Sequence, residues 1–317
     1  MRSKAIDLLR GLGILTIILI HVTAWYTQDK TAHFIWNWGQ FAVPAFVFCS
    51  TYLFYTKKEK YEKEGFVNYS LIRLKRLLPS YYVFLVFFYL IYLLKKPLAI
   101  HWQDVLMNLT LTTPGHEPNW AILLFILITI LMFPLTWLLK KSKSLFIFYA
   151  VLALTSSLLL VFYRWPFNYK LIMLLPWSLV ILFSWYFAKY EGRRAFYPLT
   201  FFVLVIIFTI ALAVQNRLGN DLLFISNKYP PNLYYLSYGM LSMTLIYYLA
   251  KKGLFDFFQK PIYFLSVNSY HLFFIHLFLI IAASEFIQLK QLAWWQFFAI
   301  IFALTLAVQL VLNKIRS

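Results

Sequence analysis

Charged side chains are scarce in this chain: Asp, Glu, Lys and Arg make up 13% of its 317 residues, whereas hydrophobic residues make up 62%. Soluble domains are about half apolar and about a quarter charged, so the composition excludes an ordinary soluble protein. Cys49 is the only cysteine, which excludes an internal disulfide. No glycine-rich phosphate loop and no nucleophile-elbow pattern occurs, so the sequence does not predict the enzyme classes built on those motifs.

Acidic residues are scarcer than basic ones, and the net charge is +18 at pH 7. Such a charge could suggest nucleic acid as a partner. However, the lysines and arginines lie in short clusters between apolar runs, and there is no basic soluble domain. The six histidines are scattered and the cysteine is alone, so the sequence predicts no metal site.

Ten apolar runs approach the roughly 20 residues that an α-helix needs to cross a bilayer. They predict an all-α integral membrane protein, with about ten transmembrane helices in a single domain over residues 1–317. Aromatic residues, 21% of the chain, suit the belts at the two membrane interfaces. The predicted spans are 6–26, 34–56, 78–94, 119–139, 144–163, 168–188, 196–215, 231–250, 261–283 and 293–313.

The basic residues give an independent prediction of the topology. If the N-terminus is cytoplasmic, the cytoplasmic segments hold 21 of the 29 Lys and Arg residues and the outer segments hold 8. The positive-inside rule then predicts that both termini are cytoplasmic. No cleavable signal peptide is evident, because the first apolar run is long enough to span. Compact loops and the lack of a targeting segment favour a multi-pass protein of a bacterial plasma membrane.

Two connections are long enough to do more than turn. Residues 57–77 are basic and carry leucines at helical spacing beside Arg73, which predicts an interfacial helix on the cytoplasmic side. Residues 95–118 are predicted to face outward, and they include His116 and Glu117.

The first span contains an unusual set of polar and small residues: Asp7, Arg10, Gly11, Gly13 and His21. Ionisable residues inside a span are costly and are a functional hypothesis by default. Arg10 and His21 are eleven positions apart, about three helical turns, so both lie on one face, roughly 16 Å apart along the axis. Asp7 can pair with Arg10, and the glycines let a neighbouring backbone or a ligand come close.

This geometry suits a long ligand with a charged head in the cytoplasm and a reactive tip inside the membrane, as coenzyme A has. Arginine binds phosphate bidentately, and a neutral histidine in apolar surroundings is a competent general base. The structural alternative is that Arg10 reaches the lipid headgroups and His21 makes an interhelical hydrogen bond. The spacing alone leaves both interpretations open.

Two further clusters carry polar side chains. Arg73, Lys75 and Arg76 would add phosphate contacts on the cytoplasmic face, or would serve only as a topology signal. In the ninth span, His276 is predicted to lie at nearly the same depth as His21. The ninth-span cluster comprises Asn268, Ser269, Tyr270, His271 and His276, whose two histidines point to different faces.

Taken in order along the chain, these clusters resemble the membrane-bound acyltransferase family 3, over residues 4–311. The first span is similar to the family's opening helix, in which an Arg precedes a His by eleven positions. Thr51 stands where the family usually has the Gly of a Ser-Gly-Phe sequence. The matching segments are 5–14 with His21, 46–53, 73–82, Trp120 with Phe133 and Pro134, and Ser269 and Tyr270 with His276.

The resemblance implies O-acyl transfer, usually of acetyl, from cytoplasmic acyl-CoA to a hydroxyl of a cell-surface or lipid-linked carbohydrate. Acyl-CoA would be a co-substrate, and no cofactor would be bound permanently. The resemblance further implies that Arg10, Arg73, Arg76 and Lys75 hold the CoA phosphates and that His21 is the catalytic base. The residues implied to position substrates are Ser269, Tyr270, His276 and Trp120. An acyl-histidine intermediate is an alternative route that the sequence does not decide.

One departure from the family affects the mechanism. Some branches carry acidic residues after the tryptophan of the fourth helix, but residues 121–132 contain none. A carboxylate that orients His21 therefore cannot come from this stretch, and Glu117 is the nearest substitute. The absence favours a branch near the short intercellular-adhesin-type proteins, which lack an extra soluble domain.

Two other functions fit the same residues. A carrier or flippase for a polysaccharide or lipid-linked sugar would use the same aromatic and polar interior without covalent chemistry, and without dependence on CoA. A sensor or assembly partner would have no activity of its own. The sequence leaves the oligomeric state open, a homodimer included.

Overall fold

The computed structural model describes residues 3–95, 100–113, 118–286 and 291–316, and His116 and Glu117 lie outside these ranges. The described residues form helices and turns with one isolated bridge between Lys228 and Pro231, so the all-α prediction is confirmed. The helices are α1 Lys4–Thr23, α2 Lys30–Trp38, α3 Ala42–Thr56, α4 Lys58–Glu64, α5 Phe66–Lys95, α6 Trp102–Leu109, α7 Asn119–Lys141, α8 Lys143–Phe162, α9 Leu174–Tyr190, α10 Phe196–Arg217, α11 Leu233–Lys251, α12 Gln259–Phe286 and α13 Trp294–Arg316.

Seven of the described helices are long and apolar enough to cross a membrane: α1, α5, α7, α8, α10, α12 and α13. Their length and composition support the membrane class. The other three predicted spans coincide with α3, α9 and α11, which have 15, 17 and 19 residues. At 1.5 Å per residue, α3 reaches only about 22 Å, less than the hydrocarbon core of roughly 30 Å. The count of ten and the orientation of the termini therefore stay predictions.

The predicted span over 34–56 is wrong as a single helix. α2 ends at Trp38, and a short 3-10 turn precedes α3. Pro44, in the first turn of α3, has no N–H for the carbonyl of Gln40 four residues earlier. That carbonyl instead accepts a hydrogen bond from the Tyr235 hydroxyl at 3.0 Å, so a side chain of α11 replaces the missing helical hydrogen bond.

The interfacial helix predicted over 57–77 does not form as one element. α4 ends at Glu64 and is followed by Gly65, whose φ of 79° lies in the left-handed region that glycine adopts without a Cβ clash. α5 begins at Phe66 and continues through Pro79 to Lys95. Residues 66–77 are therefore the first turns of a membrane-length helix.

α1 lies at the centre of the bundle, in contact with α3, α11, α12 and α13. Of its most apolar stretch 61% is buried, against 17% for α8 and for α10, which leave most of their apolar surface uncovered by other described helices. Gly11 permits a close approach to α12, because a Cβ there would lie 2.5 Å from the carbonyl oxygen of Ile262. Ser3 caps the start of α1 by accepting a hydrogen bond from the Ile6 N–H.

Polar side chains join α1 to α12 at successive levels. Ser266 donates to Asp7 Oδ1 at 2.8 Å, and Arg10 donates to Ser269 at 3.2 Å. The contact that lies further along α1 also lies further along α12, so the two helices run parallel. The same alignment continues to His21.

Candidate active site

A cavity of about 610 Å³ lies beside α1, between α3, α5, α7 and α12 and the loop that contains Lys228. Its volume falls within the usual range of small-molecule sites. Seven of the nine predicted site residues line it, namely Arg10, His21, Arg73, Arg76, Trp120, Ser269 and Tyr270. The structure therefore brings both members of the Arg10–His21 pair to one cavity. His276 and Lys75 are not among the lining residues.

His276 lies directly behind His21. Nδ1 of His21 is 2.8 Å from Nε2 of His276, and the two ring planes are nearly parallel, at 10°. Nδ1 of His276 is in turn 2.8 Å from the carbonyl oxygen of Leu272. His276 has no exposed surface, whereas His21 keeps part of its surface towards the cavity. His276 thus holds His21 instead of facing the ligand space.

These contacts assign the tautomers of the neutral pair. The Leu272 carbonyl can only accept, so Nδ1 of His276 carries the hydrogen and Nε2 of His276 is an acceptor. His21 must therefore donate from Nδ1, which leaves its Nε2 with a free lone pair. A histidine whose far nitrogen is held as a donor and whose near nitrogen is unprotonated has the form of a general base.

The other end of the cavity contains guanidinium groups. Arg73 donates to the Ser50 hydroxyl at 2.7 Å, and its guanidinium lies 5.9 Å from the Tyr69 ring centroid. Its Nε is buried, and among the described residues no acceptor reaches it. Arg76 lines the same end, whereas Lys75, next to it, is exposed outside the cavity. Free N–H groups of this kind suit an anion such as phosphate.

Tyr270 and Ser269 connect the arginine end to the helices that build it. The Tyr270 hydroxyl donates to the carbonyl of Leu77 on α5, and Ser269 accepts from Arg10. Both side chains line the cavity, so the Ser-Tyr pair of the ninth predicted span fixes α12 against α1 and α5. Within the described ranges, no three His, Cys, Asp or Glu side chains come together as metal ligands would.

Lys228 is a cavity residue that the sequence did not identify. Its Nζ donates to Gln40 Oε1 at 3.2 Å and lies 5.0 Å from the Trp120 ring centroid. The side chain is only 4% exposed, and burial lowers the pKa of Lys228 to about 7. The sequence presents it only as one basic residue in a short connection, so no local pattern indicates burial.

Comparison with protein-family models assigns the chain to a family. The acyltransferase domain model of acyltransferase family 3 matches residues 3–314, nearly the whole chain. Comparisons with curated proteins and with solved structures gave no significant match. The chain therefore belongs to acyltransferase family 3, and the predicted family is confirmed.

Proposed function

We propose that this acyltransferase moves an acyl group, taken here as acetyl, from cytoplasmic acyl-CoA to a hydroxyl of a cell-surface or lipid-linked carbohydrate. The observation that carries the proposal is the single cavity that joins Arg10, Arg73 and Arg76 to the His21–His276 pair. Arg10 and His21 are separated by about 16 Å of helix, a distance that a flexible pantetheine arm spans.

The arginine end would hold the CoA phosphates. The Nε–H of Arg73 has no acceptor among the described residues, and the positive-inside rule assigns the basic segment that includes Arg73 and Arg76 to the cytoplasm, where acyl-CoA is made. Arginine is suited to phosphate because its donors form a fixed planar fork. The narrow arm with its thioester would then extend along α1 towards His21.

His21 would act as the general base. Its Nε2 takes the proton of the acceptor hydroxyl while the acceptor oxygen adds to the thioester carbon. The tetrahedral adduct then collapses, the carbon–sulfur bond breaks, and the proton passes from His21 to the departing thiolate. The products are the acyl ester and free CoA, with no other reactant. His276 keeps His21 in the competent tautomer, and an acyl-histidine intermediate is the alternative route.

The carbohydrate would enter at the His21 end. Trp25, Trp120 and Tyr229 line this part of the cavity, and aromatic faces suit the apolar faces of sugar rings. Trp25 is 55% exposed, which makes it accessible to an acceptor from outside the bundle.

The test uses membranes from the native host, which contain the acceptor, and acetyl-CoA labelled in the acetyl group. Membranes with the wild-type chain should transfer label to glycan, and His21→Ala should lower that rate by about 10²–10⁴-fold, the usual contribution of a general base. His33→Ala is the matched control, because His33 lies on α2 and does not line the cavity.

Two results would contradict the proposal. Glycan export that depends on the chain but needs no acyl-CoA would favour the carrier or flippase instead. Normal labelling by His21→Ala would rule out His21 as the base. Label retained on the wild-type protein after denaturation, and absent from His21→Ala, would identify the acyl-histidine route.

A further inference from the structure

A buried lysine normally has a full set of acceptors, and Lys170 illustrates this. Its Nζ donates to the Thr113 carbonyl at 2.5 Å, to the Thr113 hydroxyl at 3.1 Å and to Asn119 Oδ1 at 2.7 Å. The side chain is 6% exposed. These three bonds hold the segment before α7 in position, so the charge of Lys170 serves the fold.

Lys228 is equally buried but is held differently. It donates one hydrogen bond, to Gln40, and its remaining contacts are the ring faces of Trp120 and Tyr229 at 5.0 and 5.1 Å. No carboxylate among the described residues forms an ion pair with it. An ammonium with three donors therefore keeps donor capacity on the side that lines the cavity.

The position of Lys228 relates this spare capacity to the histidine pair. Lys228 and His21 line the same cavity. A buried cation without a counter-ion is costly, and this cost is recovered when negative charge appears beside it. During acyl transfer, negative charge appears on the thioester oxygen, next to the base.

We propose that Lys228 is a catalytic residue whose ammonium stabilises the oxyanion of the tetrahedral adduct. This inference rests on the proposed acyl transfer. As the acceptor oxygen bonds to the thioester carbon, the carbonyl electron pair moves to the carbonyl oxygen, which accepts a hydrogen bond from Nζ. When the carbon–sulfur bond breaks, that electron pair returns to re-form the carbonyl, and Lys228 is unchanged. Such preorganised donors act most strongly in enclosed surroundings of low dielectric constant.

The experiment compares the detergent-solubilised wild-type protein with Lys228→Met and Lys228→Arg. The donor is labelled acetyl-CoA, and the acceptor is glycan extracted from host cells that lack this chain. Removing one oxyanion donor costs about 10²–10³-fold in kcat, so we expect that loss for Lys228→Met, with KM for acetyl-CoA within about twofold of wild type. Lys228→Arg keeps a cation and should recover most of the rate. The matched control is Lys30→Met, whose side chain is exposed at the start of α2.

Several results would overturn the inference while leaving the proposed function intact. One is a Lys228→Met enzyme with more than a third of the wild-type kcat. Another is a rate restored by raising the glycan concentration, which would make Lys228 an acceptor-binding residue. A Lys228→Arg enzyme as slow as Lys228→Met would show that the charge is not what matters. A wild-type protein that transfers no label would instead refute the proposed function itself.

If Lys228→Met does not accumulate in the membrane, Lys228→Gln replaces it. This variant keeps an N–H donor for Gln40 and loses the charge. A fall in kcat smaller than that of Lys228→Met is expected, because an uncharged amide N–H stabilises the oxyanion less than an ammonium does, and wild-type kinetics would overturn the inference.

Discussion

The two ends of the cavity differ in their side chains and in their exposure to solvent. At one end, Arg76 is exposed and Arg73 is half-buried. Arg73 is held by Ser50 and by the Tyr69 ring, and its Nε has no acceptor among the described residues. At the other end, His21, His276 and Lys228 are enclosed by α1, α12 and the loop before α11.

Under the proposed function, this difference would give each end a different task. Solvated guanidiniums can bind an anion and release it again, because water screens part of the attraction. Enclosed imidazoles and an enclosed ammonium interact strongly with any charge that develops beside them, because few solvent dipoles compete. We therefore expect changes at the arginine end to alter binding, and changes at the histidine end to alter the chemical step.

The largest predicted effect in this comparison is at His276. His276→Ala removes the acceptor for Nδ1–H of His21, so the ring can adopt the wrong tautomer. We expect kcat to fall by about 10²–10⁴-fold, the full contribution of the base, with little change in KM for acetyl-CoA. His276→Gln supplies an amide oxygen for that N–H and should recover part of the rate. Equal losses in the two variants would contradict an orienting role.

At the arginine end, Arg73→Ala should raise KM for acetyl-CoA by about 10–100-fold, because a lost charge-assisted hydrogen bond costs about 1.5–3 kcal/mol. The effect on kcat should be much smaller. Arg194→Ala, an exposed arginine outside the cavity, is the matched control. A fall in kcat at unchanged KM would reverse the assignment of the two ends.

The pH dependence should separate the two ends further. Burial lowers the pKa of Lys228 to about 7, so the ammonium is present below that pH and is lost above it. If Lys228 acts as proposed, kcat falls as pH rises, by about tenfold per unit above 7. The described titratable groups around Lys228 are His21 from α1 and Tyr229 from its own loop. Lys228→Arg should reduce the fall of kcat above pH 7. A Lys228→Arg profile identical to that of the wild type would contradict the role of Lys228 in the pH dependence.

The smallest predicted effect concerns the packing of α1 against α12, the two helices that contribute residues to both ends of the cavity. Gly11→Ala would put a methyl group 2.5 Å from the Ile262 carbonyl oxygen and push α1 away from α12. Overpacking of this kind costs about 1–3 kcal/mol. The melting temperature in detergent should fall by several degrees, whereas Gly192→Ala, with open space around it, should leave it unchanged. An unchanged melting temperature for Gly11→Ala would mean that the helices approach less closely.

Sequence reasoning predicted the features that depend on helical periodicity. The eleven-residue spacing was enough to predict one side of a helix for Arg10 and His21, and both line one cavity. The all-α class and the approximate helix limits followed from apolar runs. The break before α3 was missed, because hydropathy does not show that Pro44 leaves the Gln40 carbonyl without a helical donor and that Tyr235 supplies one.

Contacts between distant segments could not be predicted in this way. The bond between His21 and His276 joins residues 255 positions apart, so it depends on how α1 packs against α12. Lys228 was missed for the same reason, because its burial arises from Gln40 and Trp120 on other segments.

The most direct test of the account is a structure of the protein with an acetyl-CoA analogue in which a methylene group replaces the thioester sulfur. We expect the phosphates to contact Arg10, Arg73 and Arg76 and the analogue's carbonyl carbon to lie beside His21, with room for an acceptor oxygen within about 3–3.5 Å. An analogue bound elsewhere, or a carbonyl that stays at the arginine end, would contradict the central claim that one cavity joins binding to chemistry.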